Sequence, residues 1–89
     1  MATYTVKLPP TIDEVRAEKI AAIKAEAYRR LLPTDWYVVR HAETGQPAPA
    51  EVLAYRQAVR EASDVAEQAI AALQTIEEIR GYQVAWPEQ

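Results

Sequence analysis

The residue types best suited to chemistry in this sequence are a single histidine and a number of carboxylates. His41 is the only histidine of the 89 residues, and cysteine is absent, so the usual set of zinc ligands cannot be assembled around it even though Glu43 lies nearby. We therefore expect His41 to be exposed to solvent or held by a structural hydrogen bond. No metal ion and no other cofactor are predicted.

Carboxylates such as Glu77 and Glu78 fall on predicted helix surfaces among Arg and Lys, where solvation and weak spaced pairing explain them. A general acid and base need a cleft that shifts their pKa values, and so short a chain hardly builds one. With only two glycines, glycine-rich phosphate loops are absent as well. The sequence therefore predicts a protein that is not an enzyme.

Charge and hydropathy narrow the classes of partner. The chain has 10 Lys and Arg against 13 Asp and Glu, with a formal net charge of -3, and no segment is basic enough to follow a phosphate backbone. No apolar run approaches the roughly 20 residues that span a bilayer, and no signal peptide is visible. We expect a soluble intracellular protein that binds neither nucleic acid nor a membrane.

The interior of this chain is predicted to be thin. Apolar residues make up 49% of the sequence, but many of them are alanine and phenylalanine is absent. A domain of this size with few large apolar side chains is marginally stable alone. Help from another protein, or from copies of the same chain in a homo-oligomer, is therefore expected.

The spacing of apolar residues and capping signals predicts an all-α fold, in which a long helix packs against a shorter helix or a hairpin, with a short extended arm at each terminus. Residues 1–10 form the N-terminal arm. Thr11 and Glu14 make a capping box for a helix over 11–32. Pro33 follows that helix and ends it.

A shorter helix is predicted over 34–45, with Gly45 at the left-handed position that ends it. Residues 37–39 are good strand formers, so an extended segment is the competing prediction. A long helix then covers 49–80, and residues 82–89 form an extended tail. The whole chain is one small helical domain.

The long helix carries apolar residues at alternating steps of three and four, as the seam of a coiled coil does. The predicted seam consists of Val52, Tyr55, Val59, Ala62, Ala66, Ala69, Leu73 and Ile76. A helix of about 48 Å is too long to be covered by the rest of the chain. The seam packs either against the first helix or against another chain, and part of it is expected to meet a partner.

Both termini place apolar side chains at alternate positions, which is typical of one-sided strands. These residues are Tyr4, Val6 and Leu8 in the N-terminal arm, and Tyr82, Val84 and Trp86 in the tail. The two segments pair with each other, or each adds to the sheet edge of a partner.

The remaining candidates are aromatic and arginine side chains that suit protein recognition. A core position is favoured for Trp36 and Tyr55, whereas Trp86, close to the chain end, either folds back on the body or fills a partner's pocket. Three arginines offer a forked contact to a partner's carboxylate: Arg40, Arg56 and Arg60. Pairing within the chain is favoured for each of them, with Glu43, Glu51 or Asp64.

Several of these residues also form a recognisable pattern. It consists of Thr34-Asp35-Trp36-Tyr37-Val38-Val39-Arg40, Glu43-Thr44-Gly45, Pro47, Pro49, Tyr55-Arg56-Gln57-Ala58-Val59-Arg60 and the closing Tyr82-Gln83-Val84-Ala85-Trp86-Pro87. The pattern resembles small bacteriophage tail proteins of the tail fibre assembly, or tail assembly chaperone, type. It covers roughly residues 31–60 and the tail. Longer members of the group carry an additional N-terminal domain, whose activity is not carried over.

The resemblance implies a tail fibre assembly factor that acts in the host cytoplasm and shields a tail fibre or other tail protein until the fibre trimerises. The alternative is a permanent structural component of the virion tail or baseplate that forms helical oligomers. A small regulator that binds nucleic acid or an enzyme is a third, less favoured class. The predicted partner-binding residues are Trp36, Tyr37, Arg40, Val52, Tyr55, Val59, Leu73, Ile76, Tyr82 and Trp86.

Overall fold

The computed structural model describes residues 8–88. The chain forms helix α1 (Ile12–Leu31), a 3₁₀ turn (Leu32–Thr34), and helices α2 (Asp35–Thr44), α3 (Ala50–Ala72) and α4 (Ile76–Gly81). The described residues contain no strand, so the prediction of an all-α fold is confirmed. Most of the predicted N-terminal arm, residues 1–7, lies outside the described residues, as does residue 89.

The first helix begins at the predicted cap. The Thr11 hydroxyl oxygen accepts a hydrogen bond from the Glu14 backbone N–H at 3.1 Å, and the hydroxyl in turn donates to the Glu14 carboxylate at 3.3 Å. Asp13 and Glu14 in the first turn, and Arg29 and Arg30 in the last, complement the helix dipole. Local signals in the sequence therefore define both ends of α1.

The second helix continues almost directly from the first. Pro33 lies in the 3₁₀ turn between them. Because proline has no N–H to donate to the α-helical ladder, the chain makes one 3₁₀ turn there before α2 begins. At the other end, Gly45 has φ 78° and its N–H donates to the His41 carbonyl at 2.8 Å, an arrangement that favours glycine. Residues 37–39 are helical, so the competing extended segment is wrong.

The predicted single helix over 49–80 is wrong, because the chain leaves the helix after Ala72 and resumes it at Ile76. Leu73 and Thr75 both have extended backbones, with ψ 144° and 150°. The Thr75 hydroxyl oxygen accepts from the Glu78 N–H at 3.1 Å. This cap starts a new helix and lets the chain change direction.

α1 and α3 are antiparallel. The Arg56 side chain, near the start of α3, donates to the Leu31 carbonyl at the end of α1 over 2.9 Å. At the opposite end of the pair, Arg16 near the start of α1 donates to the Leu73 carbonyl after α3 over 2.8 Å. The two longest helices therefore form a hairpin whose ends are joined by arginine contacts to free carbonyls.

α4 and the tail run beside α1 in the same direction as that helix. Lys19 donates to the Arg80 carbonyl at 3.3 Å, and Arg30 donates to the Pro87 carbonyl at 3.4 Å. Because Lys19 and Arg30 lie more than two helical turns apart, the tail extends along much of α1. It is folded back on the body, which is one of the two predicted alternatives.

The core lies between α1, α3, α4 and the tail. Its buried members are Val15, Ile23, Ala66, Ile70 and Ile79, and half-buried apolar residues pack around them, namely Ile12, Ile20, Leu73, Ile76, Tyr82, Val84 and Trp86. Much of the predicted seam therefore packs within the chain. The residues of α3 that are buried differ in part from the predicted seam. Val59 and Ala66 belong to both sets, whereas Arg56, Ser63 and Ile70 are buried without having been predicted.

The described part of the chain is elongated. It measures 63 × 35 × 18 Å and has a radius of gyration of 18.3 Å, against about 12 Å for a compact domain of this length. None of its helices is long and apolar enough to cross a membrane. No residue of α2 belongs to the core cluster or packs against it.

We predict that Ile79→Ala destabilises the protein by about 2–4 kcal/mol, because Ile79 is completely buried and its truncation leaves a cavity under α4. Urea unfolding followed by circular dichroism measures the change. Val65→Ala is the matched control, since Val65 is 62% exposed and its truncation is expected to cost no more than about 0.5 kcal/mol. Equal losses in the two variants would show that α4 does not dock as described.

Candidate functional site

The predicted partner-binding residues of the seam and tail mostly serve internal packing. Val59 has no exposed surface, so its assignment to a partner-binding surface is wrong. Leu73, Ile76, Tyr82 and Trp86 are half-buried against the core cluster. Packing against the first helix was one of the two alternatives for the seam, and the apolar pattern alone did not separate residues that cover a neighbouring helix from residues that cover a partner.

α2 has the opposite character. None of its ten residues is buried. Trp36 is 52% exposed, Val38 46% and Val39 54%, so the favoured core position for Trp36 is wrong. A helix that places large apolar side chains in water without burying any of them has no packing role of its own.

The exposed apolar residues of α2 continue onto the preceding segments. We call the following four residues the outer stripe: Tyr28, Leu32, Trp36 and Val39. They are 61%, 50%, 52% and 54% exposed, and they follow one another along the chain in steps of four, four and three, from α1 through the 3₁₀ turn to α2. Single exposed apolar side chains are common on protein surfaces, but a row of four is typical of an interaction surface.

Arg40 and two aromatic rings form a cluster beside the outer stripe. The rings of Trp36 and Tyr37 stack with centroids 3.9 Å apart. The Arg40 guanidinium carbon lies 5.0 Å from the Trp36 centroid and 5.4 Å from the Tyr37 centroid, within cation–π range. This contact holds the planar guanidinium in one orientation, which suits a forked contact to a carboxylate.

Arg40 has no ion-pair partner among the described residues. Its Nε atom is buried and has no hydrogen-bond partner, and within residues 8–88 no carboxylate lies at ion-pair distance. The favoured pairing with Glu43 is therefore wrong. Because the Nε is buried, a carboxylate of another molecule would have to contact the two terminal nitrogens of this half-buried side chain.

Arg56 fixes the junction that carries the stripe. Its Nη1 donates to the Leu31 carbonyl at 2.9 Å and to the Thr34 hydroxyl at 2.8 Å, and it pairs with the Asp35 carboxylate at 2.9 Å. The Leu31 carbonyl lacks its helical donor because the Asp35 N–H bonds to the Leu32 carbonyl instead. A buried arginine on α3 thus replaces the missing hydrogen bond at the 3₁₀ turn.

The other favoured arginine pairings are also wrong for the residues that the structure describes. Arg56 pairs with Asp35 in place of Glu51, and Arg60 forms no ion pair with Asp64. Of the three arginines, Arg56 is structural, whereas Arg40 keeps the geometry of a carboxylate anchor. The role of Arg56 was missed because its main acceptor is a backbone carbonyl, which no sequence pattern marks.

Apart from the outer stripe, a concave surface lies where the tail ends. A groove of about 510 Å³ is lined by Thr34, Glu51, Val52, Ala54, Tyr55, Ala58, Pro87 and Glu88. Val52 and Tyr55, both predicted partner contacts, are half-buried there. The Arg30 guanidinium lies 5.0 Å from the Trp86 centroid, so a cation–π contact holds the end of the tail beside this groove.

Glu26 stands beside the same tail end. Its carboxylate accepts hydrogen bonds from the side chains of Arg29 and Arg30. The Arg29 hydrogen bond, aided by the charges of both arginines and opposed by desolvation, lowers the pKa of Glu26. The charged form of Glu26 is therefore the form that holds the two arginines.

His41 lies on the surface of α2. It is exposed on α2, one of the two predicted environments. In the described part of the chain, no three or more His, Cys, Asp or Glu side chains are grouped so that they could hold a metal ion. The arrangement at α2 is therefore suited to binding a surface by contact, with apolar area and one oriented cation.

Comparisons with protein-family models, curated proteins and solved structures find no match to this chain. The resemblance to phage tail proteins of the fibre assembly type therefore stays a prediction. Two surfaces of the described residues are candidates for binding, namely the outer stripe with Arg40 and the groove at the tail end. Among these, the outer stripe with Arg40 combines the largest exposed side chains with an unpaired oriented charge.

We predict that Arg56→Met destabilises the protein by about 1–3 kcal/mol, because it removes the Arg56 donor from the Leu31 carbonyl, the Thr34 hydroxyl and the Asp35 carboxylate, and leaves the Leu31 carbonyl with the Thr34 hydroxyl as its one side-chain donor among the described residues. Arg60→Met is the matched control, since Arg60 is exposed. Thermal and urea unfolding of both variants measure the difference. A stability for Arg56→Met equal to that of the control would contradict the role of Arg56 at the junction.

We predict that Glu26 stabilises the protein in a pH-dependent way. Because folding lowers the pKa of Glu26, its contribution is present above the usual carboxylate pKa and is lost as the pH falls through the folded value. Glu26→Gln should therefore be less stable than the parent protein at neutral pH and approach it in acid. Urea unfolding at several pH values measures this, and a constant difference between the two proteins would argue against it.

Proposed function

We propose that this protein is a protein-binding module that docks a tail fibre or another tail protein of a bacteriophage through the outer stripe and Arg40. The observation that carries the proposal is the exposure of Trp36, Val38 and Val39 on a helix without buried residues. Exposed apolar area of this kind is normally covered by a partner. The resemblance contributes the phage tail context.

The residue types of the outer stripe indicate which kind of partner surface can bind to it. Tyr28, Leu32, Trp36 and Val39 offer apolar and aromatic contacts at helical spacing, which suits an apolar groove or the apolar face of another helix. Arg40 offers a cation that forms no ion pair with a carboxylate of residues 8–88. The partner surface is therefore apolar, with an aspartate, a glutamate or a chain terminus beside it.

The residues that carry the resemblance coincide with this surface. The pattern from Thr34 to Arg40 includes the start of α2, Trp36, Tyr37 and the arginine of the aromatic cluster. A fibre chain that has not yet trimerised exposes apolar surface that promotes aggregation. An assembly factor that covers this surface with the outer stripe would keep the fibre chain soluble until the trimer forms.

The elongated shape favours a second candidate function, that of a permanent structural component. A molecule 63 Å long with exposed apolar residues on α2 can add to a helical assembly of identical or different tail subunits. Mass spectrometry of purified particles separates the two functions. A stoichiometric amount in the virion supports the structural component, whereas absence from the virion supports the assembly factor.

We predict that Trp36→Ala weakens binding to the tail fibre protein at least tenfold, about 1.4 kcal/mol, because a central aromatic contact is removed. Binding is measured by titration with a purified bacteriophage tail fibre protein. Co-expression of the two should also raise the yield of soluble fibre trimer. Val65→Ala is the control, since Val65 is 62% exposed on α3, outside the stripe.

Circular dichroism and urea unfolding of both variants check that the fold is intact. Equal binding by Trp36→Ala and Val65→Ala would remove the outer stripe as the docking surface. If the parent protein neither co-purifies with the fibre protein nor changes its trimer yield, the assembly function itself is contradicted. Arg40→Met is a second variant, expected to weaken binding without loss of the exposed apolar area.

A further inference from the structure

One side of α2 carries both apolar area and two opposite charges. Its residues are Trp36, Val39, Arg40 and Glu43, which follow one another in steps of three, one and three. All four lie within the regular helix Asp35–Thr44, so this spacing places them on one face. Trp36 and Val39 are 52% and 54% exposed, and Glu43 is exposed as well. We call these four residues the pairing face.

The two charges of the pairing face do not meet within one chain. The Arg40 guanidinium carbon lies 5.0 Å from the ring centroid of Trp36 and 5.4 Å from that of Tyr37, so the side chain leans toward the start of α2, as long helical side chains do. Glu43 lies almost one turn beyond Arg40 in the other direction. None of the ion pairs within residues 8–88 includes either residue. The cation and the anion therefore lie at opposite ends of the face.

An antiparallel second copy of α2 would bring these charges together. If a two-fold axis passes between Val39 and Arg40, residues 36 and 43 lie equally far from it, so Glu43 of each copy is level with Trp36 of the other. The Arg40 guanidinium lies over the Trp36 ring and hence at the same level. One symmetric arrangement thus forms two Arg40–Glu43 ion pairs, with the Val39 side chains of both copies in contact at its centre.

A parallel pair of α2 helices lacks this complementarity. It would set Arg40 level with Arg40 and Glu43 level with Glu43, and like charges at such positions repel. A two-fold interface uses the same surface patch on both molecules, so the patch has to complement itself. The pairing face does so in the antiparallel direction alone.

We propose that, in the free protein, the pairing face of α2 is covered by the pairing face of a second copy. The occupant is a second copy because this face supplies both the cation and the anion of the contact, with apolar side chains on both sides of the axis. The rings of Trp36 and Tyr37 hold the Arg40 guanidinium in place, in an orientation that suits a carboxylate bound to its two terminal nitrogens.

The expected dimer is weak, because α2 has only ten residues and one face of it buries less than the roughly 800 Å² per partner of a standard stable interface. We expect a dissociation constant between roughly 10 μM and 1 mM. A tail protein that docks on Trp36 and Arg40 would displace the second copy. That displacement rests on the proposed function, whereas the dimer does not.

Sedimentation equilibrium of the full chain alone tests the dimer. The expected result is a monomer at low concentration that converts to a dimer as the concentration rises. A chain that stays monomeric up to about 1 mM would overturn the proposal and leave the face open to a different protein. No tail protein is needed for this measurement, so a failure of dimerisation and a failure of fibre docking are read separately.

Two charge reversals test whether the pairing face makes the contact. Arg40→Glu sets carboxylate against carboxylate across the axis, and Glu43→Arg sets guanidinium against guanidinium. Because each dimer contains the ion pair twice, each variant alone is expected to raise the dissociation constant at least about tenfold. An equimolar mixture of the two variants should dimerise about as tightly as the parent, since each chain then carries the charges that the other lacks. Circular dichroism checks that both variants remain helical.

Arg60→Glu and Glu61→Arg are the matched controls, because both residues are exposed on α3, outside the pairing face, and the reversals change the net charge by the same amounts. These two variants should dimerise like the parent, alone or mixed. If the α2 variants also dimerise like the parent, the copies meet through another surface or as a parallel pair, and the proposal is overturned. It is equally overturned if the mixture of the α2 variants stays monomeric, or if the controls weaken the dimer as much as the α2 variants do.

Discussion

The buried guanidinium of Arg56 is the interaction on which the exposed end of this molecule depends. The 3₁₀ turn after α1 leaves the Leu31 carbonyl without its helical donor, and Arg56 of α3 supplies one while it also contacts Thr34 and Asp35. α2 buries no residue, so apolar packing does not fix its direction. The polar contacts of Arg56 at the start of α2 fix its direction instead. Separating a buried donor from its acceptors costs about 1–3 kcal/mol, so these contacts resist a change of direction.

The molecule therefore has a packed part, which consists of α1, α3 and α4, and an exposed helix, α2. The core cluster from Val15 to Ile79 stabilises α1, α3 and α4, whereas α2 has ten residues and lies outside it. An isolated helix of ten residues is marginal in water. Here α2 begins at an anchored junction and ends at Gly45, whose N–H bonds to the His41 carbonyl. A surface held in this way is ordered before a partner arrives, which lowers the entropic cost of binding.

Local signals in the sequence predicted the helix ends well, with one omission. Thr11 begins α1, and the same threonine, isoleucine, acidic residue and glutamate recur from Thr75, where α4 begins. That second cap was overlooked because the apolar spacing of three and four continues across Leu73 to Ile76. Periodicity reports which residues face one side and does not report whether the backbone stays helical between them. The capping residue Thr75 marks the start of α4, which the apolar spacing does not indicate.

The candidate site was harder to predict than the fold, for a reason that Trp36 and Trp86 illustrate. Both are large aromatic residues in apolar patterns, yet Trp36 is half exposed on α2, while Trp86 covers the core cluster and lies under Arg30. The burial of an aromatic residue depends on what the distant chain brings to it, and one sequence does not contain that information. Once Arg30 and the tail occupy the flank of α1, the face with Tyr28 and Trp36 has no remaining segment of residues 8–88 to cover it. The stripe therefore stays exposed because the tail packs along α1 beside Lys19 and Arg30.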